Sequence, residues 1–257
     1  MKRFFSSMRL FAVAGIGVLA SGMLLTSCLK DNDWDENNNG SDISAGLMAF
    51  NLSTGQSAAG FRIGGNTLTQ FPLVYNSYTG VYLPIYPGTR TVDAFSYNSG
   101  NTLATSSATF ETDKFYSVFL VGDATLQNVI VEDNFDGMTA NGKAHIRYIN
   151  AIDDASAPTV TIASGGTNVV SESASFKSVS NFVTIDAGSA NITVSNGGTI
   201  NANRTITLEA NKVYTVLLIG KPGATGDNAV QVKFITNGQV NENTSRMGSA
   251  SSARAVN

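Results

Sequence analysis

From residue 45 onward the chain alternates apolar and polar side chains in short runs. No run keeps helical spacing for more than a turn or two. In Phe115-Tyr116-Ser117-Val118-Phe119-Leu120, Tyr116, Val118 and Leu120 point one way and Phe115, Ser117 and Phe119 the other. A period of two places one side of a strand against a core. Turn residues punctuate the runs: Gly64-Gly65-Asn66, Pro87-Gly88-Thr89, Asn98-Ser99-Gly100 and Gly165-Gly166-Thr167-Asn168. The pattern predicts an all-β chain of many short strands.

The pattern also repeats. Residues 110–122, FETDKFYSVFLVG, align with residues 208–220, LEANKVYTVLLIG, sharing Glu, Lys, Tyr, Val, Leu and Gly in register. Val81 to Gly88 answers Asn181 to Gly188, and Met48-Ala49-Phe50-Asn51 answers Arg147-Tyr148-Ile149-Asn150. The spacing is about 100 residues, too long for a solenoid repeat and the size of one β-sandwich. The expectation is two tandem antiparallel sandwiches, immunoglobulin-like or transthyretin-like, over 45–133 and 143–238. Residues 134–142 form a linker and 239–257 a polar C-terminal tail.

The first 44 residues are of another kind. Lys2, Arg3 and Arg9 precede an apolar run over 10–25, shorter than the ~20 residues of a membrane span. Leu25-Thr26-Ser27-Cys28 then resembles a bacterial lipobox, which implies a lipoprotein signal peptide over 1–27 and a lipid on Cys28. Cys28 is the only cysteine of the chain, so its acylation leaves no thiol for a disulfide, catalysis or metal. Residues 28–44 are acidic and rich in Asn, too polar to bury a core, and read as a flexible stalk. Lys30, Asp31 and Asp33 resemble the surface-export signal of Bacteroidota lipoproteins, with Asn32 breaking the acidic pair. Asp31, Asp33 and Asp35 alternate as in a calcium loop, but Glu36 stands where the glycine belongs and the twelfth-position Glu is missing. The expected location is the outer membrane, lipid-anchored and facing the cell surface.

Charge and composition narrow the function classes. The chain has 19 acidic residues against 16 Lys and Arg, and three of those bases lie in the leader. An acidic mature chain does not suit nucleic acid, which is held through Lys and Arg on phosphate. The partners expected are the membrane, through the lipid, and a glycan, matrix component or envelope protein. An enzyme is not expected. The one histidine, His145, stands alone, and no Gly-x-Ser-x-Gly elbow or Cys/His zinc set exists. Glu111 and Glu209 recur in both halves, each with a Lys three residues on, as a structural turn would. Asp133 with Asp136, or Asp153 with Asp154, are oxygen ligands in loops, with solvated carboxylates as the alternative. No cofactor or metal site is expected.

These features together resemble the domain of unknown function 4397 family, small secreted β domains often found in tandem. The resemblance rests on Asn150-Ala151-Ile152-Asp153-Asp154-Ala155, Asp186-Ala187-Gly188 and Tyr214-Thr215-Val216-Leu217-Leu218-Ile219-Gly220 in the second half. Asn51, Tyr82, Tyr86-Pro87-Gly88 and Tyr116-Ser117-Val118 carry it in the first, where Leu52-Ser53-Thr54 departs from the loop motif. It implies the fold and no activity.

Aromatic placement suggests where a ligand would sit. Val81, Leu83 and Ile85 alternate with Tyr78, Tyr82 and Tyr86, while Val92 and Ala94 match the core residues Ile192 and Val194. Read across the Pro87-Gly88-Thr89 turn, Phe95 and Tyr97 share one outward face with the tyrosines. Tyr78, Tyr86, Phe95 and Tyr97 are therefore the candidate ligand-binding residues, with Tyr82 partly structural. The alternative is that the patch packs against a loop or the other domain. A structural pilin-like or envelope-assembly subunit is the alternative function, although the tail 244–254 is too polar for a good donor strand. Intact-mass spectrometry of the mature protein should find an acylated N-terminal Cys28. An unmodified Cys28, or retained residues 1–27, would refute the lipoprotein reading.

Overall fold

The computed structural model describes residues 44–241 and 244–248; the leader, Cys28 and the stalk lie outside the described residues. The first copy contains β1 (Ala45–Asn51), β2 (Ala58–Ile63), β3 (Asn66–Thr67), β4 (Leu73–Val74), β5 (Ser77–Tyr78), β6 (Leu83–Ile85), β7 (Gly88–Ser96), β8 (Thr102–Phe110), β9 (Phe115–Val121) and β10 (Gln127–Glu132). The second contains β11 (Ala144–Asn150), β12 (Thr159–Ser164), β13 (Thr167–Ser173), β14 (Val183–Ile185), β15 (Gly188–Ser195), β16 (Asn201–Leu208), β17 (Lys212–Ile219) and β18 (Gln231–Asn241), with β19 (Thr244–Gly248) after it. Strand β18 thus runs into the segment read as a polar tail, and β19 pairs back onto it.

Each copy is a two-sheet sandwich. In the first, β10-β9-β1-β5, with β6 also on β1, faces β3-β2-β7-β8, with β4 on β2. In the second, β14-β11-β17-β18-β19 faces β13-β12-β15-β16. The sheets are not purely antiparallel: β1 runs parallel to β9, and β11 parallel to β17. Between the sheets of the first copy lie Leu47, Ala49, Phe61, Val92, Ala94, Val118 and Leu120. Ile146, Tyr148, Val160, Ile162, Ile192, Val194, Val216 and Leu218 fill the second. These are the positions that the period of two selects.

The recurring residues hold recurring turns. Asp113 and Asn211 take the same left-handed conformation, φ 62° each, before β9 and β17. Tyr116 Oη accepts from the Glu111 backbone N–H (3.0 Å), and Tyr214 Oη from that of Glu209 (2.9 Å). Both bonds resemble a tyrosine corner. Gly122 and Gly220 end the two strands with φ near 103° and 107°, where an added Cβ would meet Thr125 O at 2.1 Å and Ala229 O at 2.2 Å. The Asn51 and Asn150 side chains donate to the carbonyls of Leu73 (3.0 Å) and Ala174 (2.8 Å), pinning equivalent loops.

A third core joins the copies. Met48, Phe50, Leu52, Phe119 and Val121 of the first copy pack against Ile149, Ala151, Leu217, Ile219 and Ile235 of the second. Each copy presents the same face, that of β1 and β9 or of β11 and β17, so the seam has the isologous form of a twofold dimer. At its middle the twofold breaks, because Met48 is answered by Arg147. The Arg147 guanidinium lies 2.7 Å from Asp133, with side chains 2% and 0% exposed. Around this pair, Ser117 donates to Asp133 (2.7 Å), Arg147 donates to Ser117 (3.1 Å) and Thr215 (3.0 Å), and Thr215 donates to Asn237 (2.6 Å). Tyr82 donates to Asp133 at 2.5 Å and accepts from Asn237 at 3.1 Å. Burial and the Asp133 carboxylate push the Tyr82 hydroxyl well above its ordinary pKa, so it stays a donor.

Removing one partner of a buried ion pair leaves the other charge uncompensated, at a cost of about 3–5 kcal/mol. D133A should therefore lower the stability of the whole chain by that order in urea denaturation. The double variant R147M/D133N places at the centre the residue types already found at Met48 and Asn237, and should recover most of the loss. A double variant as unstable as D133A would show that the charge is not what the seam must balance.

Candidate functional site

The predicted site residues do not share a face. The chain crosses from one sheet to the other between β6 and β7, with Gly88 at φ 101°. Of the predicted residues, Tyr78 and Tyr82 precede that crossing, beside the sheet that faces the second copy, and Phe95 and Tyr97 follow it, at the outer sheet. Tyr78 is half-buried in the seam, stacked on Phe50 at 5.3 Å between centroids. Tyr82 is in the seam with the ion pair. Tyr86 stands at the crossing itself and is 79% exposed. Phe95 and Tyr97 lie on the outer face of β7, stacked at 6.0 Å. Phe95 is buried all the same: it lies over Gly60, where any Cβ would meet its ring at 2.3 Å, and Arg62 covers it at 3.9 Å. Tyr97 is 37% exposed and donates its hydroxyl to Gln70 O at 2.7 Å.

Pattern reading missed the loop between β3 and β5. It carries Phe71, 77% exposed, and Val74, 55% exposed. Between them and Leu68, Leu73, Tyr78 and Leu83 runs a groove of roughly 610 Å³, lined mostly by apolar side chains. The signal was available, as Thr69-Gln70-Phe71-Pro72 is a turn segment with an unanchored aromatic.

Comparison of the two copies isolates this edge. Among the described residues, the large apolar side chains that are strongly exposed are Phe71, Val74, Tyr86 and Tyr97. All four belong to the first copy. Register and loop anchoring place Ser175, Asp186 and Gly197 at the places of Val74, Tyr86 and Tyr97, whereas Phe71 stands in a loop that has no counterpart beside the continuous strand β13. The second copy is polar at this edge where the first is apolar.

The acidic loops are otherwise engaged. Asp133 holds Arg147, and Asp136 pairs with Lys114 at 2.7 Å. Asp153 accepts from the Asp123 backbone N–H, and Asp154 from the hydroxyl and the backbone N–H of Ser156, which hold the Asp154 carboxyl below its ordinary pKa. No group of three or more His, Cys, Asp or Glu side chains is gathered for a metal among the described residues. His145 lies on β11 two residues before Arg147, on the same face and 6% exposed. Burial lowers its pKa from the ordinary imidazole value.

Against the known families, the sequence pattern of the domain of unknown function (DUF4397) matches residues 45–163 and 144–248. No curated protein matches the chain. Among solved structures, similarity extends to a family 26 carbohydrate-binding module of Eubacterium rectale Amy13K, in complex with maltoheptaose. That match is at 12% identity and a TM-score of 0.25, over 72% of this chain and 99% of that one. It extends also to the family 41 carbohydrate-binding modules of streptococcal virulence factors, described for alpha-glucan recognition, at 11% identity and a TM-score of 0.24. There 74% of this chain and 96% of that one are covered. Likeness of this degree carries no argument about what the chain binds.

A buried imidazole with a lowered pKa contributes stability that is complete above its unfolded value, about 6.5, and is lost as pH falls toward the folded value. The urea midpoint should therefore fall between pH 7.5 and pH 5, and H145Q should fall less over the same interval. Equal slopes for the two proteins would contradict this.

Proposed function

We propose that this chain, which belongs to the DUF4397 family and carries two copies of its domain, is a non-catalytic binding module of the cell envelope. A lipid on Cys28 holds it at the outer membrane, on the cell-surface side. The observation that carries the binding role is the asymmetry of the duplicated scaffold. Three exposed apolar side chains of the first copy, Val74, Tyr86 and Tyr97, stand where the second has Ser175, Asp186 and Gly197, and a fourth, Phe71, stands in a loop that the second copy replaces with the continuous strand β13. Exposed apolar side chains that fold stability does not require are a mark of interaction surfaces.

Of the partners considered, a glycan, a matrix component or an envelope protein, the Phe71 groove suits a protein segment best. Its walls are aliphatic and aromatic, whereas a sugar needs its hydroxyls paired. Of the aromatic residues singled out from sequence, Tyr86 and Tyr97 belong to this recognition edge. Tyr78 borders the groove from the seam, and Phe95 is the base on which Arg62 and Tyr97 rest. Polymerisation by strand exchange is less favoured. It needs the first strand to leave, and β1 is bonded on one side to β9 and on the other to β5 and β6.

The double variant F71S/Y86S should abolish capture of envelope protein by the mature chain and leave the melting temperature nearly unchanged. Exposed substitutions away from special features usually change stability by within about 0.5 kcal/mol. Y78A, by contrast, should lower the melting temperature, because it opens the seam. Retained capture by F71S/Y86S, or a large drop in its melting temperature, would overturn the assignment.

A further inference from the structure

A second cavity lies at the β14 end of the seam, beneath the linker. It measures roughly 390 Å³, inside the ~300–1,000 Å³ range of small-molecule sites. It shares no lining residue with the groove at Phe71. We infer that this pocket binds a saccharide residue.

Three observations carry the inference. The first is His145, nine-tenths buried in the pocket wall, whose Nδ1 has no hydrogen-bond partner among the described residues. Buried polar groups are ordinarily satisfied, and an orphan in a polar cavity asks for a ligand group. The second is that the pocket breaks the twofold. The first copy has Gly46 where the second has His145, and Phe115 where it has Val213. A Cβ at Gly46 would meet the Phe115 ring at 2.6 Å, so on that side aromatic packing takes the space. On the other side a smaller valine and an imidazole leave it open.

The third observation is the chemistry of the wall. Glu132 and Asp136 present carboxylate acceptors, and Asn181 presents an amide that donates and accepts. Lys114 reaches both carboxylates, at 3.5 and 2.7 Å, so neither stands as a free charge. Phe182 supplies an apolar surface beside them, its ring already held by Arg147 at 4.4 Å. An anion would face two carboxylates here, and an apolar ligand would bury the imidazole and amide unpaired. A polyol ring meets each requirement. Its hydroxyls donate to the carboxylates and to the neutral imidazole, accept from the amide, and leave its C–H face for the phenyl ring.

The one histidine gives a single reporter. Imidazole proton–nitrogen spectra of the mature chain, titrated with glucose, galactose, mannose and N-acetylglucosamine and with short oligosaccharides of each, should show a saturable shift of His145 for at least one sugar. A shift at lower concentration for the oligosaccharide identifies a glycan end as the source, and equal concentrations identify the free sugar. Asn181 is exposed at the mouth, and N181W, which fills it, should abolish the shift without lowering the melting temperature. F71S/Y86S should keep the shift, so the outcome is independent of the protein-capture reading. No movement of His145 with any of these sugars, or an unchanged shift in N181W, would overturn the inference.

Discussion

The ion pair between Arg147 and Asp133 is the constraint around which the two halves are arranged. The apolar contacts beside it repeat across a near-twofold: Phe50 answers Ile149, Phe119 answers Leu217, Val121 answers Ile219. A guanidinium buried among such residues is tolerable only where a carboxylate and further acceptors surround it. Asp133, Ser117 and Thr215 supply that surround, and they come from both copies. The linker leaves the first copy immediately after Asp133, so the same residue that neutralises the charge also sets where the chain departs. The copies are bound by a directional polar centre set within an apolar face. Apolar packing alone would permit sliding; a single buried pair fixes the register.

Much of this architecture is legible in the residues. The tandem organisation shows because Glu111/Glu209, Tyr116/Tyr214 and Gly122/Gly220 serve a turn, a hydroxyl anchor and a strand stop that any copy of the domain needs. Strand faces show for the same reason: Val92/Ile192 and Ala94/Val194 must meet a core. The mixed sheets do not show, since side-chain alternation is the same in parallel and antiparallel strands. The seam left a trace that alternation obscures. Met48-Ala49-Phe50 and Leu217-Leu218-Ile219 are apolar on both faces, and a strand apolar on both faces is covered on both. Asp133, read as a loop carboxylate among possible cation ligands, gave no local hint of a partner in the other copy.

The aromatic residues show where a correct local reading meets a topological turn. Tyr82 and Phe95 each sit on the side of their strand opposite the core, as parity requires. They fall on opposite sides of the sandwich because Tyr86-Pro87-Gly88 carries the chain between sheets, where a hairpin would have kept it in one. Phe71 lies in a loop and Val74 on the two-residue strand β4, with no period to read. What distinguishes them is visible only against the second copy, which has Ser175 in the place of Val74 and a continuous strand in place of the Phe71 loop, so that the duplicated fold acts as its own control.

The parallel pairing of β1 with β9 has a mechanical side. Six consecutive residues, Gly46 to Asn51, are matched with Phe115 to Leu120. A load applied at the amino-terminal end would enter along β1 and run lengthwise through all six positions at once. Bonds stressed in this way yield together, whereas a strand peeled from its end gives way one bond at a time. Resistance to such a load is set by the unfolding rate and not by equilibrium stability. With β5 and β6 bonded to the opposite edge of β1, this first strand is gripped on both sides.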